Sequence, residues 1–168
     1  GGVLFRGESP PDIHPNGYWR NNLPPADKST YLGMVVRDND TWESVSQRLG
    51  APLEAGKCYM YTVHLCRAPK YVSKSRITYE DANYTTPAVL RIWGGKGFCD
   101  TKELLAKSEA VSNSSWQIYE FHFLPETNIR SITLEVFYET ITGLAYNGNI
   151  LLDGCSDIIE IPCSKKNK

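Results

Sequence analysis

The sequence lacks any run of about 18 apolar residues, so no segment is long enough to span a bilayer as a helix. It also lacks a basic excess, because 18 lysine and arginine residues are balanced by 19 aspartate and glutamate residues, a net charge of −1. Nucleic acids and anionic membranes require a basic footprint, so we expect neither nucleic-acid binding nor membrane insertion. The missing charged-then-apolar leader predicts that any signal peptide has been removed.

Catalytic motifs are missing as well. No serine has a GxSxG setting, and the tight acidic triplet of jelly-roll glycosidases is absent. The one short cluster that combines carboxylates with an imidazole is Glu8, Asp12 and His14, and it has no visible third element for a metal or acid–base site. We therefore predict that the protein is not an enzyme, with a jelly-roll polysaccharide hydrolase or lyase as the weakest alternative.

Helical periodicity is nearly absent, and alternation of apolar and polar residues dominates. Residues 100–110 could form a short helix or a strand after a turn. The other alternating segments, separated by Gly, Asn and Asp turns, predict strands at 31–37, 43–49, 57–67, 87–93, 116–124, 131–138 and 149–161. The sequence thus predicts a single all-β domain over 1–168, an antiparallel β-sandwich of the jelly-roll type with an irregular segment at 1–25 and a flexible tail at 164–168.

The chain has five cysteines and no CxxC pair, which argues against a zinc site. One or two disulfides and an odd thiol favour an exported protein, secreted, at the cell surface or periplasmic. Spacing alone leaves the pairing open. Because Cys58 opens a strong strand and Cys163 closes the last one, we favour that pair.

Several aromatic and arginine side chains fall on loops or strand ends, where rings and planar donors can contact a ligand. Trp93 follows Arg91 on the strand face that points away from the core. The predicted ligand-binding residues are Tyr18, Trp19, Arg37, Arg67, Arg91, Trp93 and Tyr146. Structural alternatives stay open: Trp19 can plug the sandwich end, Trp93 can be structural, and each arginine can be merely solvated. Trp42, which follows the turn 38–40, is interpreted as structural.

Five stretches occur in a recognisable order: 26–34 (ADKSTYLGM), 43–49 (ESVSQRL), 52–59 (PLEAGKCY), 116–121 (WQIYEF) and 148–153 (GNILLD). Over about residues 26–160 this order resembles the galactose-binding-domain-like jelly rolls, especially the carbohydrate-binding modules of families four and nine. Residues 6–25 and 70–84 depart from that pattern. The resemblance also places Asp153 where a closing-strand carboxylate helps to bind structural calcium.

The resemblance implies a non-catalytic carbohydrate-binding module of an extracellular or cell-surface multidomain protein. Its partners would be a polysaccharide or glycan and flanking domains of a larger chain. The alternative is an adhesion or structural β-sandwich that docks other domains or proteins, since one fold serves many recognition tasks.

Overall fold

The computed structural model describes residues 11–139 and 143–163. In these residues the chain is almost entirely β, and no helix there is long and apolar enough to cross a membrane. Its strands are β1 (Asp12–His14), β2 (Tyr31–Arg37), β3 (Thr41–Trp42), β4 (Ser44–Leu53), β5 (Cys58–Cys66), β6 (Val72–Lys74), β7 (Asp81–Asn83), β8 (Ala88–Gly95), β9 (Glu103–Lys107), β10 (Gln117–Phe123), β11 (Ile129–Tyr138), β12 (Gly148–Asp153) and β13 (Ile159–Ile161).

Two antiparallel sheets face each other. The first sheet has the order β1, β2, β12, β5, β10, with β3 paired to β2 and β13 paired to β5. The second sheet has the order β4, β11, β8, β9. A separate hairpin is formed by β6 and β7. Most neighbours in the sheets, such as β2 and β12 or β4 and β11, are distant in sequence, as expected for a jelly roll. The predicted all-β sandwich is confirmed.

Most of the predicted strands are present with small shifts at their ends. One predicted strand is divided. The stretch 149–161 forms two strands, β12 and β13, because the chain leaves the sheet after Asp153 and Gly154 adopts a positive φ of 53°. Of the two alternatives for 100–110, the structure has the strand, β9, whose backbone pairs with β8 along Arg91 to Gly94.

The main core lies between the two sheets. Alternation along β2 and β12 sends Met34, Val36, Ile150 and Leu152 toward the second sheet, where side chains such as Leu90 meet them. These five side chains are at most 3% exposed. Their burial is the main source of stabilisation, at about 25 cal/mol for each Å² of apolar surface removed from water.

A second apolar cluster covers the outer face of the first sheet. Tyr31 and Leu151 point outward from the sheet, and Tyr71 and Tyr84 pack on them from the segment that carries the β6–β7 hairpin. Trp19 packs against the same cluster from the 3-10 turn at Tyr18–Arg20. The described residues of the two long stretches that look irregular in sequence, 11–25 and 70–84, therefore form a covering layer. This layer covers Tyr31 and Leu151 of that outer face, whereas Ile118 and His122 of β10 stay exposed on it.

Cys58 and Cys163 form a disulfide, with their Cα atoms 5.2 Å apart. The favoured pairing is thus confirmed. Cys66 is buried, while Cys99 and Cys155 are exposed free thiols.

His14 lies wholly inside the covering layer, so the predicted cluster with Asp12 is not an open site; Glu8 lies outside the described residues. The imidazole stacks on the Tyr31 ring with centroids 5.3 Å apart, and its Nδ1 is buried with no hydrogen-bond partner. Burial lowers the pKa of His14, although the nearby Asp12 carboxylate acts in the opposite sense.

We expect His14 to reduce stability in mild acid. Below its unfolded pKa of about 6.5, the unfolded chain binds a proton that the folded chain excludes. The free energy of unfolding should therefore fall, by at most about 1.4 kcal/mol per pH unit, as the pH drops below 6.5. Urea unfolding of the protein and of His14→Phe at pH 7.5, 6.5 and 5.5 measures the difference in slope.

The comparison with His14→Phe is needed because burial raises the pKa of Glu43 to about 7, which changes stability in the opposite sense over a similar range. Taking the difference between the two proteins cancels that shared contribution. Parallel pH profiles for both would contradict a neutral, buried His14.

Candidate functional site

The outward side of the second sheet carries three cross-strand rows of side chains, given by the strand register. They are Ser44, Glu135, Arg91 and Lys107; Ser46, Thr133, Trp93 and Leu104; and Arg48, Ser131 and Gly95. We call these three rows the Trp93 face. The alternate residues of the same strands, such as Ile92 and Leu134, belong to the main core.

Glu135 is the centre of the polar contacts on the Trp93 face. Its Oε1 accepts hydrogen bonds from Arg91 Nε at 2.7 Å and from Trp93 Nε1 at 2.8 Å, and Arg91 Nη2 lies 2.6 Å away. Its Oε2 accepts a hydrogen bond from Trp42 Nε1 at 2.8 Å. The Glu135 side chain is 8% exposed, so these donors compensate for the loss of water around the carboxylate.

The same contacts fix the aromatic rings in place. The Arg91 guanidinium lies 3.4 Å from the centroid of Phe137 and 5.3 Å from that of Trp93. The Trp42 ring packs edge-on against the Phe137 ring, with 4.9 Å between the ring centroids. A cation between two rings and a carboxylate between two indoles make a preorganised platform, which lowers the entropy cost of binding.

The loop 96–100 borders the Trp93 face at one end. The hydroxyl of Ser131 donates to Gly97 O at 2.5 Å, and the Cys99 amide donates to Ser46 Oγ at 3.0 Å. Phe98 at the tip is 63% exposed, and the Arg48 guanidinium lies 5.2 Å from its ring centroid. The loop therefore places a further exposed aromatic ring next to Arg48 of β4.

We expect Glu135→Gln to lower the free energy of unfolding by about 1–2 kcal/mol. The amide keeps the shape of the carboxylate but loses the charge-assisted bonds to Arg91 and cannot accept from both indoles through two oxygens. Thermal unfolding of the purified variant measures this. Glu54→Gln, a change in an exposed ion pair, is the control and should cost about 0.5 kcal/mol or less. An unchanged melting temperature in Glu135→Gln would contradict the central role of this carboxylate.

Of the residues predicted from sequence, the structure brings Arg91 and Trp93 together on the Trp93 face. Arg37 has a different position: its side chain is 3% exposed and contacts the equally buried carboxylate of Glu43. It has no surface for a ligand, and we leave it out of the candidate site.

Tyr18 and Trp19 lie on the opposite side of the sandwich, in the covering layer. The Trp19 ring stacks on Tyr71 with a centroid distance of 6.2 Å, and its Nε1 donates to Asp12 Oδ2 at 2.7 Å. These contacts favour the structural alternative for Trp19. Tyr18 is 66% exposed on the same turn and is separated from the Trp93 face by both sheets.

Arg67 and Tyr146 form hydrogen bonds with the backbone of neighbouring loops. Arg67 Nη1 donates to Thr85 O at 2.6 Å. The Tyr146 hydroxyl donates to Pro87 O at 2.8 Å and accepts from the amide of Glu139 at 2.6 Å. Both side chains are half-buried and neither belongs to the Trp93 face, so their contacts are those of structural residues.

Asp153 is buried at the end of β12. Its Oδ2 accepts from the amides of Ala26 and Asp27 at 2.7 and 2.9 Å, and its Oδ1 accepts from the amide of Gly154. Within residues 11–139 and 143–163 no three His, Cys, Asp or Glu side chains cluster as a metal site would require. The carboxylate thus holds the backbone of residues 26–27 against the end of β12. A structural calcium ion at Asp153 stays a prediction from the resemblance.

Sequence reasoning missed the roles of Trp42, Glu135 and Arg48. The signal for Glu135 was available, since it alternates outward in the segment that contains β11, but its pairing with Arg91 depends on a register between segments 44 residues apart. Trp42 reaches the Trp93 face from the other sheet, through the contact to Glu135. No periodicity in the sequence indicates such a contact.

A cavity of about 670 Å³ lies between β4 and residues 155–160 at the edge of the sandwich, and its lining includes Ser46 and Arg48 of the Trp93 face. Tyr59, Tyr61 and Leu134 of the main core line it, together with Leu49 and Ile158. None of the ligand-binding residues predicted from sequence lines this cavity. The candidate site is therefore on the outward side of a sheet and not in this cavity.

No protein-family model matches the chain, and no curated protein matches it. Among solved structures, it is similar to the CBM22-1–GH10 modules of endo-1,4-β-D-xylanase 10B from Clostridium thermocellum, complexed with xylohexaose (TM-score 0.47, 11% identity, 94% of this chain and 26% of that chain). It is also similar to a structure described as "CBM4 structure and function" (TM-score 0.44, 12% identity, 89% of this chain and 85% of that one). The chain spans about a quarter of the xylanase chain.

Proposed function

We propose that the chain is a non-catalytic module that binds a polysaccharide or glycan on the Trp93 face. The observation that carries the proposal is the position of Trp93. Its indole points outward from the second sheet, belongs to neither described apolar cluster, and is held by Nε1 on Glu135. A ring fixed at a surface, beside hydrogen-bonding groups, is suited to stack on a sugar.

The energy available from such a ring is adequate for module-type affinities. A tryptophan buries about 150–250 Å² when fully covered, which corresponds to about 4–6 kcal/mol gross at about 25 cal/mol/Å². Part of this is offset by the cost of association. Phe98 and Leu104, both exposed, extend the apolar surface on either side of Trp93.

The contacts of Glu135 support a binding role over a catalytic one. Both of its carboxylate oxygens accept bonds from arginine or indole donors, and it is the one carboxylate in the three described rows of the Trp93 face. Glycoside cleavage generally uses a pair of carboxylates across the scissile bond. A hydrolase or lyase would therefore require groups from outside this face.

The wider setting belongs to the same proposal. The Cys58–Cys163 disulfide supports an exported protein, secreted or at the cell surface, and a binding module of this kind would act beside flanking domains of a larger chain. An adhesion or structural sandwich stays the second candidate, and it predicts a protein ligand in place of a sugar.

A glycan array combined with affinity electrophoresis on polysaccharides tests the proposal. We expect retention on at least one polysaccharide, lost in Trp93→Ala. Retention of no glycan by the folded protein would contradict the proposal and favour the adhesion role. Release of reducing sugar from any polysaccharide, abolished by Glu135→Gln, would contradict the non-catalytic assignment.

A further inference from the structure

The charged residues of the Trp93 face are unequal in sign. Its three rows contain the cations Arg48, Arg91 and Lys107 and the single carboxylate of Glu135. The whole chain, in contrast, has a net charge of −1. Positive charge is thus concentrated on the face that we propose to be the binding face, which attracts anions.

The one carboxylate does not neutralise the outer cations. The Glu135 carboxylate forms an ion pair with Arg91, with 2.6 Å between Oε1 and Nη2. Within the described part of the chain, neither Arg48 nor Lys107 has a carboxylate within ion-pair distance, and both are exposed. Lys107 also stands directly opposite Arg91 in the register. Like charges at such positions destabilise a sheet unless an anion lies between them.

One nearby carboxylate reduces this excess. The Asp100 side chain lies against Gly95 of the third row, and its Oδ2 accepts from the Lys96 amide at 2.9 Å. The Glu103 carboxylate accepts from the amides of Glu126 and Thr127, at the turn before β11. With Asp100 counted, the Trp93 face keeps an excess of one positive charge, from Arg48, Arg91 and Lys107 against Glu135 and Asp100.

The positions of the two unpaired cations suit an extended ligand. Arg48 and Lys107 lie on the two edge strands, three strand spacings apart and four residues apart along the strands. From strand geometry this is about 20 Å between backbone positions, with Trp93 between the two corners. A chain of sugars that stacks on Trp93 would pass close to both cations.

We propose that the glycan bound by the Trp93 face is anionic and carries uronic-acid carboxylates, recognised by Arg48 and Lys107. The planar guanidinium of Arg48 can bind a carboxylate through two parallel hydrogen bonds, and Lys107 supplies a point charge. The inference rests on the proposed function and specifies its ligand class.

The test compares each uronate-containing polysaccharide retained by the protein, such as polygalacturonate or glucuronoxylan, with its carboxyl-reduced form, which keeps the backbone and removes the charge. We expect carboxyl reduction to weaken binding about tenfold or more, as loss of a charge-assisted bond does. Raising the salt from 0.05 to 0.5 M should weaken binding to the charged form only.

Two variants locate the effect. Arg48→Gln and Lys107→Gln should each weaken binding of the charged polysaccharide and leave the neutral form unaffected. Lys70→Gln, which removes a positive charge from an exposed position in the covering layer on the opposite side, is the matched control and should bind like the parent protein. Thermal unfolding confirms that all three variants are folded.

The outcomes separate the two proposals. Equal binding of the charged and carboxyl-reduced forms would overturn the uronate assignment while leaving glycan binding intact. Equally strong binding of dextran sulfate would overturn it too, since it would indicate a general attraction of polyanions. Retention of no polysaccharide of either kind would overturn both the inference and the proposed function.

Discussion

Replacing both Cys58 and Cys163 with serine is expected to lower the free energy of unfolding by about 4 kcal/mol. The two cysteines are 105 residues apart, so the disulfide closes most of the chain into one loop and removes a large part of the entropy of the unfolded state. It also fastens β13 to the start of β5, where Ile161 pairs with Cys58. Urea unfolding of the oxidised parent and of the double variant gives the difference directly.

The matched control is Cys99→Ser. Cys99 is exposed and has no disulfide, so its replacement should change the free energy of unfolding by about 0.5 kcal/mol or less. A double variant as stable as the parent would mean that the bridge is not formed in the folded protein. If Cys99→Ser lowers the free energy of unfolding as much as the double variant does, the bridge involves Cys99.

Changing Trp93 to alanine is expected to weaken binding of the retained polysaccharide by about 30-fold or more, the effect of losing a hot-spot aromatic of about 2 kcal/mol. Because the indole packs on neither described apolar cluster, the variant should lose only about 1 kcal/mol of stability, from the hydrogen bond to Glu135. Affinity electrophoresis and thermal unfolding on the same sample measure the two effects.

Trp19→Ala is the matched control on the opposite side of the sandwich. Trp19 stacks on Tyr71 and donates to Asp12, so its loss should destabilise the protein by about 2 kcal/mol and leave binding unchanged. The reverse result, in which Trp19→Ala abolishes binding and Trp93→Ala does not, would place the ligand on the covering layer. The Trp93 face would then lose its assignment.

Much of the sandwich could be predicted because its strands have clear alternation. In β5, the buried Tyr61 and Val63 alternate with partly exposed positions, and in β10 the buried Phe121 and Phe123 alternate with exposed ones. Alternation fixes which side chains enter the core, since a side-chain period of two sends every second residue to the same face. It also correctly placed Arg91 and Trp93 on one outward face.

Partner strands could not be predicted, and the site depends on them. Glu135 meets Arg91 only because β11 pairs with β8, and Trp42 joins them from the short strand β3. The covering layer was missed for a related reason. Tyr71 and Tyr84 belong to segments without periodicity, and their burial depends on an apolar outer face of the first sheet that local sequence does not reveal.

The most direct measurement of the central claim uses the four tryptophan indole N–H signals in a proton–nitrogen NMR titration with the retained polysaccharide. The four indoles donate to three residues: Trp19 to Asp12, Trp42 and Trp93 to the two oxygens of Glu135, and Trp116 to Pro24 O. Assignment follows from single Trp→Phe variants. We expect the Trp93 signal to shift strongly, Trp42 to shift through the shared carboxylate, and Trp19 and Trp116 to stay in place. Shifts confined to Trp19 and Trp116 would show that the sugar binds on the covering layer and would contradict the account.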